Sequence, residues 1–418
     1  MKIIEIGTGY TSIPAKMGAA TEIVVEELTR AMLQQNQDVI ILDIKDKNRM
    51  KSELPIEEVY MPQFFSTGAV VKLGVFHKVK RVLYSLSLAI KLRKIIMRSN
   101  EHLYLHFHNQ YNLYFFLKLC SDKIRQKVTI GYTVHSYIWF GKWDDIKDTI
   151  RKRYFQEIYC CQKADRLFVL NDIVAKMLTE HYQVNPENII QVINGVNTNV
   201  YNENVVDKKT LESLRDRYGL KDKKVIFQVG SVCDRKNQLG SLELLLPIMK
   251  RDTSIAFAYA GGIIDEAYAL SIYEKAKAHG VADRVVYFGE VAPGATLNQL
   301  YALADVCLMN SKSEAFALVI AEALSVPRPI FINETIMQSL IFLADNLGNG
   351  IIKIDDDFEN NVLQILMNNS FASELKQKGR AFIEREYSWK VAAKMYVDAF
   401  ASKQYSNTKV LVDTENDI

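Results

Sequence analysis

Short, almost wholly apolar runs alternate with stretches of helical periodicity, and this rhythm constrains the fold more than any other feature. Lys2 to Ile6, Val39 to Ile44, Leu103 to Phe107, Lys127 to Val134, Arg166 to Leu170 and Ile189 to Ile193 each read as a strand buried on both faces. Strands of that kind belong to parallel sheets, whose connections need crossover helices. A polar, charge-rich stretch from Tyr201 to Lys224 interrupts the rhythm, which restarts at Val225 to Val229 and continues through Ile255 to Ala260, Val285 to Phe288 and Val306 to Met309. A chain of 418 residues exceeds what one ordinary core accommodates. The expectation is an α/β protein of two doubly wound domains, residues 1–203 and 204–385. A C-terminal helix, 386–402, would pack back on the first domain, ahead of a polar, disordered tail, 403–418.

Composition narrows the classes of function. The formal charge of +3 is too small for this length to argue for nucleic acid. The five cysteines, Cys120, Cys160, Cys161, Cys233 and Cys307, form no C-x-x-C pair and lie mostly in apolar surroundings, which suits buried thiols in a reducing compartment. The first residues start a strand at once rather than a signal peptide, and no apolar run is long enough to span a bilayer. The expected location is the cytoplasm. No metal is expected: Asp355-Asp356-Asp357 reads as a solvated acidic loop with no histidine beside it.

The most informative stretch is Ser311 to Leu324, which follows the strand at Val306 to Met309. It carries Glu314 and Glu322 eight positions apart, at the mouth and in the second turn of a helix. In a doubly wound sheet a strand-to-helix junction sits at the carboxyl edge, where ligands bind and free helix N–H groups suit an anion. Small residues at Ala315 and Ala317 let a phosphate approach the backbone, and carboxylates accept hydrogen bonds from vicinal hydroxyls. Phosphate and hydroxyls together point to a sugar nucleotide. Gly230-Ser231 followed by Arg235-Lys236 supplies a turn and two cations suited to a diphosphate.

In the first half, Gly7-x-Gly9 lacks the third glycine of a dinucleotide fingerprint and reads as a plain sharp turn, which disfavours a nicotinamide enzyme. Gly18, just before a helix start, lets a charged group come close to the backbone. His106 reads as a hydrogen-bonded structural residue. His135, at a strand end before an aromatic loop, reads as functional. From Val59 to Asn100 there is no Asp or Glu, whereas cations from Lys72 to Arg98 alternate with apolar residues. Two readings stand for this segment. It lies against an anionic membrane or a lipid-linked acceptor, or it is a core-facing helix with a solvated basic side.

These pieces, in this order, resemble family 4 of the retaining glycosyltransferases over nearly the whole chain. Pro14 to Glu26 is similar to the family's first glycine-rich loop and helix, Val134-His135 to its cleft histidine, and Asn194 to Thr198 to its interdomain turn. Gly230-Ser231 with Arg235-Lys236 resembles the phosphate loop, and Leu300 to Glu314 the lead into the paired glutamates. The resemblance implies two Rossmann-like domains of the GT-B type facing across a cleft. It implies a metal-independent transferase with no cofactor, moving sugar from a nucleotide-diphosphate donor to a carbohydrate or lipid-linked acceptor in cell-surface polysaccharide, lipopolysaccharide or related glycoconjugate synthesis.

By the same resemblance, Glu314 would bind donor hydroxyls and Glu322 the ribose, while Arg235 and Lys236 would stabilise the diphosphate. The backbone at Ala317, Leu318 and Val319 would hold phosphate, with Gly18 on the opposite wall and His135 touching the donor sugar. The chain departs from the pattern at Ala315 and Ala317, where the family has glycines, and at Pro327-Arg328-Pro329, where it has a glycine-x-proline. A degenerate member that binds and scaffolds an active transferase is the alternative.

Overall fold

A computed structural model describes residues 1–14, 20–62, 75–136, 138–139, 143–314, 318–339 and 346–402. The first domain holds a seven-stranded sheet in the order β3-β2-β1-β4-β5-β6-β7. The strands are β1 (Lys2–Ile6), β2 (Asp38–Ile44), β3 (Ile56–Val59), β4 (Leu103–Phe107), β5 (Val128–Val134), β6 (Arg166–Val169) and β7 (Ile189–Gln191). The second holds a six-stranded sheet, β10-β9-β8-β11-β12-β13, built from β8 (Lys224–Val229), β9 (Ile255–Ala260), β10 (Val285–Tyr287), β11 (Val306–Met309), β12 (Ile330–Ile332) and β13 (Ile351–Lys353). Every pairing in both sheets is parallel.

Strand order reverses between β1 and β4 in one sheet and between β8 and β11 in the other. Such switch points open a crevice beyond the strands' carboxyl ends. Apolar side chains fill both faces of each sheet, which is why the strand sequences run apolar without alternation. The strands read from apolar runs are present. β3, β12 and β13 escaped that reading; the first carries the exposed Glu57 and Glu58, which break its apolar character.

The C-terminal helix expected over 386–402 starts at Trp389 and follows a separate helix. One helix spans Asn369–Glu386 and a second Trp389–Ala401, with Ser388 between them as an N-cap accepting from Val391 N at 3.3 Å. The fold also pairs the chain at this break. Tyr387 O accepts from Val196 N at 2.8 Å, and Val196 bridges Ser388, so the two strands of chain that connect the domains run side by side. Gly195 is required there, since a Cβ would lie 2.5 Å from the backbone of Trp389. Beyond this crossing the helix Trp389–Ala401 packs on the first domain. Tyr396, Ala399 and Phe400 join Ile3, Val24, Leu28 and Phe168 in one core.

Among the described residues no helix is long and apolar enough to cross a membrane. The basic segment is the helix Val75–Arg98. Its inner side, Tyr84, Leu88, Leu92 and Ile96, belongs to the core. Lys80 donates to Tyr10 O, Arg81 stacks on Tyr111 and Lys91 pairs with Glu57, whereas Lys78, Arg93, Lys94 and Arg98 face solvent. Lys72 lies outside the described residues.

Candidate active site

At the second switch point, β8 ends in Gly230 and β11 leads through Asn310 to Glu314. Gly230 has φ 150°, and a Cβ there would come within 3.0 Å of Lys236 Cδ, so the lysine stem lies over the glycine turn. Lys236 ends the short 3-10 turn Asp234–Lys236, and its Nζ donates to Glu314 Oε1 at 2.5 Å. Arg235 Nη1 donates to the same oxygen at 3.3 Å and to Ser313 O at 2.9 Å. Two cations 79 and 78 residues from the glutamate in sequence thus converge on one carboxylate oxygen. Gln238 steadies the turn by donating to Gly230 O and Ser231 O, at 3.2 and 3.0 Å.

Glu322 lies in the helix Leu318–Ser325, and Tyr301 OH donates to its Oε2 at 2.8 Å. Burial raises the Glu322 carboxyl above its usual range, opposed by hydrogen bonds from Tyr301 and Tyr201 and by the charge on Lys236. Leu318 and Val319, partly exposed, open the described part of this helix. Ala315, Ala317 and Gly18 lie outside the described residues.

His135 occupies the other domain, directly after β5. Its Nε2 is 3.0 Å from His108 Nδ1, and the two rings stack with centroids 5.3 Å apart. His108 Nε2 is 2.8 Å from Glu5 Oε2, and His106 Nδ1 is 2.9 Å from Glu5 Oε1. Glu5, His106 and His108 are buried side chains of adjacent strands, with Glu5 opposite His106 in register. Burial would raise the Glu5 carboxyl, yet the imidazoles of His106 and His108 hold it down at about 2. Burial and the neighbouring His106 lower His108 to about 4. Burial likewise pushes His135 well below the ordinary imidazole range, with His108 and His106 adding to the effect.

Of the aromatic loop after His135, Trp139 is fully buried and Trp143 stacks on His181 at 3.8 Å, whereas Tyr137 and residues 140–142 lie outside the described residues. Glu157 anchors it, accepting from Ser136 Oγ at 2.5 Å. Burial raises Glu157 to about 7, and the bonds from Ser136 and Trp139 offset only part of that.

The sequence reading missed Glu5 and His108 as partners of His135. An acid inside the otherwise apolar run Lys2 to Ile6 was the available signal, because a buried carboxylate requires hydrogen-bond donors. The Pro327-Arg328-Pro329 departure also has a structural account. Arg328 is buried and donates to the carbonyls of Tyr301, Ala302, Val326 and Pro327 and to Glu203 Oε2.

Comparison with known proteins places this geometry in context. The family described as Glycosyltransferase Family 4 matches residues 21–200, and that described as Glycosyl transferases group 1 matches residues 211–382. The chain is 27% identical over 190 residues to a D-inositol 3-phosphate glycosyltransferase of Corynebacterium aurimucosum, covering 45% of this chain and 44% of that protein. It is 24% identical over 260 residues to the alpha-galactosylglucosyldiacylglycerol synthase of Streptococcus pneumoniae, covering 61% and 65%. Less than two thirds of either relative is therefore spanned. Among solved structures, the Anabaena protein HepE in complex with UDP and glucose superposes with a TM-score of 0.69 at 13% identity, covering 96% of this chain and 100% of that one. Sucrose-phosphate synthase from Thermosynechococcus elongatus gives 0.69 at 18%, covering 96% and 99%. At such identities the superpositions speak for the shared two-domain fold alone.

Proposed function

The chain belongs to the family 4, group 1 glycosyltransferases of GT-B fold, and from that premise we propose that it is a retaining transferase using a nucleotide-diphosphate sugar. The convergence of Lys236 and Arg235 on Glu314 above the Gly230 turn is the observation that carries this reading. A diphosphate entering the turn takes over both cations, which leaves the Glu314 oxygens open to hydroxyls of the donor sugar. Glu322, held by Tyr301, receives the ribose, and the N–H groups at Leu318 and Val319 receive phosphate.

In the reaction the bond from the anomeric carbon to the diphosphate oxygen breaks as the acceptor oxygen attacks the same face. The acceptor proton passes to the departing diphosphate. Arg235 and Lys236 stabilise the charge that builds there, and this scheme assigns no step to a metal. His135 contacts the donor sugar from the first domain. A cell-surface polysaccharide, lipopolysaccharide or related glycoconjugate is the proposed product, in keeping with the glycolipid synthase among the relatives.

The test is turnover and calorimetric binding across a panel of nucleotide-diphosphate sugars. At least one donor is expected to bind and be hydrolysed or transferred. If none binds, the enzyme reading fails, and a scaffold partner of an active transferase takes its place.

The helix Val75–Arg98 supports peripheral contact with an anionic lipid surface or a lipid-linked acceptor on the inner face of the membrane. Its outer side exposes Val79, Val82, Ile90 and Met97 among Lys78, Arg93, Lys94 and Arg98. The protein is expected to sediment with vesicles containing anionic phospholipid at low salt and to be released at high salt. Equal recovery in the supernatant with anionic and neutral vesicles at low salt removes that contact.

A further inference from the structure

The buried group at the first switch point does more than fill a core. Glu5 lies inside a parallel sheet, where an ionised carboxylate can only accept hydrogen bonds. Its two oxygens meet His106 Nδ1 at 2.9 Å and His108 Nε2 at 2.8 Å, so both of those nitrogens must carry protons. A neutral His108 then has a bare Nδ1. The nitrogen facing it at 3.0 Å, His135 Nε2, must therefore donate, and a neutral His135 is left with a bare Nδ1. His135 is partly exposed, and no bond from a described residue reaches its Nδ1.

A metal reading of the same cluster is weaker. Glu5, His106 and His108 lie close enough to hold an ion. However, both nitrogens of each histidine already have partners, since His106 Nε2 is 2.7 Å from Thr133 Oγ1 and His108 Nδ1 meets His135. Tyr396 closes the network from the C-terminal helix, its OH 3.3 Å from Thr133 Oγ1, with Phe168 and Phe400 packed on the His106 ring. The cluster is thus a completed hydrogen-bond network, sealed by aromatic side chains on the face of the sheet that the helix Trp389–Ala401 covers.

We propose that Glu5 acts through His108 to fix His135 in the tautomer whose Nδ1 is bare, so that His135 presents a hydrogen-bond acceptor to a hydroxyl of the bound sugar. Glu5 and His108 are positioning residues in this scheme. The sugar hydroxyl as recipient rests on the transferase reading, whereas the tautomer does not. A neutral acceptor also avoids adding a cation beside a sugar whose anomeric carbon becomes electron-poor as the diphosphate leaves.

The test is nuclear magnetic resonance of the full chain with ring-labelled 15N histidine. His135 is expected to show one protonated Nε2 and one bare Nδ1, with scalar coupling across the hydrogen bond to His108 Nδ1. Protonation of His135 at Nδ1 or at both nitrogens overturns the proposal. So does a zinc-induced shift of both His106 and His108 ring signals at one equivalent of metal. In Glu5→Met the His108–His135 pair is free to take either order, and a second set of His135 signals is expected. A single unchanged set shows that Glu5 does not select the tautomer. If that variant does not fold, the wild-type spectrum still decides. With an identified donor, Glu5→Met is expected to lower kcat/KM roughly tenfold, the value of one hydrogen bond. An inactive wild type bears on the transferase reading alone, since the spectrum needs no substrate.

Discussion

Lys236→Ala is expected to lower kcat about 10²- to 10³-fold while leaving the fold intact, as measured by steady-state turnover of an accepted donor alongside thermal unfolding. The magnitude is that of removing one fixed charge aimed at a developing anion in a site shielded from water, about 3–4 kcal/mol. Lys236 is well placed for such a role. Its stem lies over Gly230 and its Nζ is anchored on Glu314 Oε1 at 2.5 Å, so little reorganisation accompanies the arrival of a diphosphate. Stability should change little, because Arg235 remains to partner Glu314 and the glycine turn keeps its bonds from Gln238. A kcat within threefold of wild type would remove Lys236 from the reacting centre and leave it as a structural counter-ion of Glu314.

The second large effect concerns stability. Arg328→Met should destabilise the protein by about 3–5 kcal/mol, because it withdraws a buried cation from an anion and several carbonyls at once. Arg328 Nη1 reaches Glu203 Oε2 at 2.7 Å and Nη2 reaches Ala302 O at 2.9 Å, while Nε bonds Tyr301 O at 3.1 Å. Methionine fills comparable space but donates nothing. A fall of about 10 °C in the unfolding midpoint is expected for the transition that includes the second domain. A shift under 2 °C would show that water replaces the lost donors. Loss of the clamp on Tyr301 also loosens the hydroxyl that holds Glu322, so donor affinity should fall even below the midpoint. Arg328 thus ties the end of the helix Ala295–Leu303 to Glu203.

Several parts of this architecture were legible in the residues alone, each for a local reason. Strands such as Val225 to Val229 and Ile255 to Ala260 declare themselves because a parallel strand covered on both faces is apolar throughout. The polar stretch from Tyr201 to Lys224 lies between the two sheets, although Val196 and Tyr201 already belong to the second domain's core. The order strand, Glu314, helix, Glu322 was also legible without any knowledge of packing. The three-residue strands β12 and β13 were not read in this way; β7 and β10 are no longer, and were legible as parts of the runs Ile189 to Ile193 and Val285 to Phe288. The break at Ser388 has a local signal in that residue's capping hydroxyl, whereas its pairing with Val196 is set by the fold.

What the sequence by itself determined is the alternation of elements, the two-domain division and the residue types gathered at the strand ends, all of which follow from hydrophobic period and turn chemistry along the chain. What only the tertiary structure decided is which of those residues meet. Lys236 and Glu314 belong to loops after β8 and β11, and they touch because crossover connections make those strands neighbours. Glu5, His108 and His135 follow the same logic across β1, β4 and β5, and their proton order follows from a carboxylate buried where it can only accept. Such contacts depend on sheet order and register, which arise from long-range pairing and leave no periodic trace in any one segment.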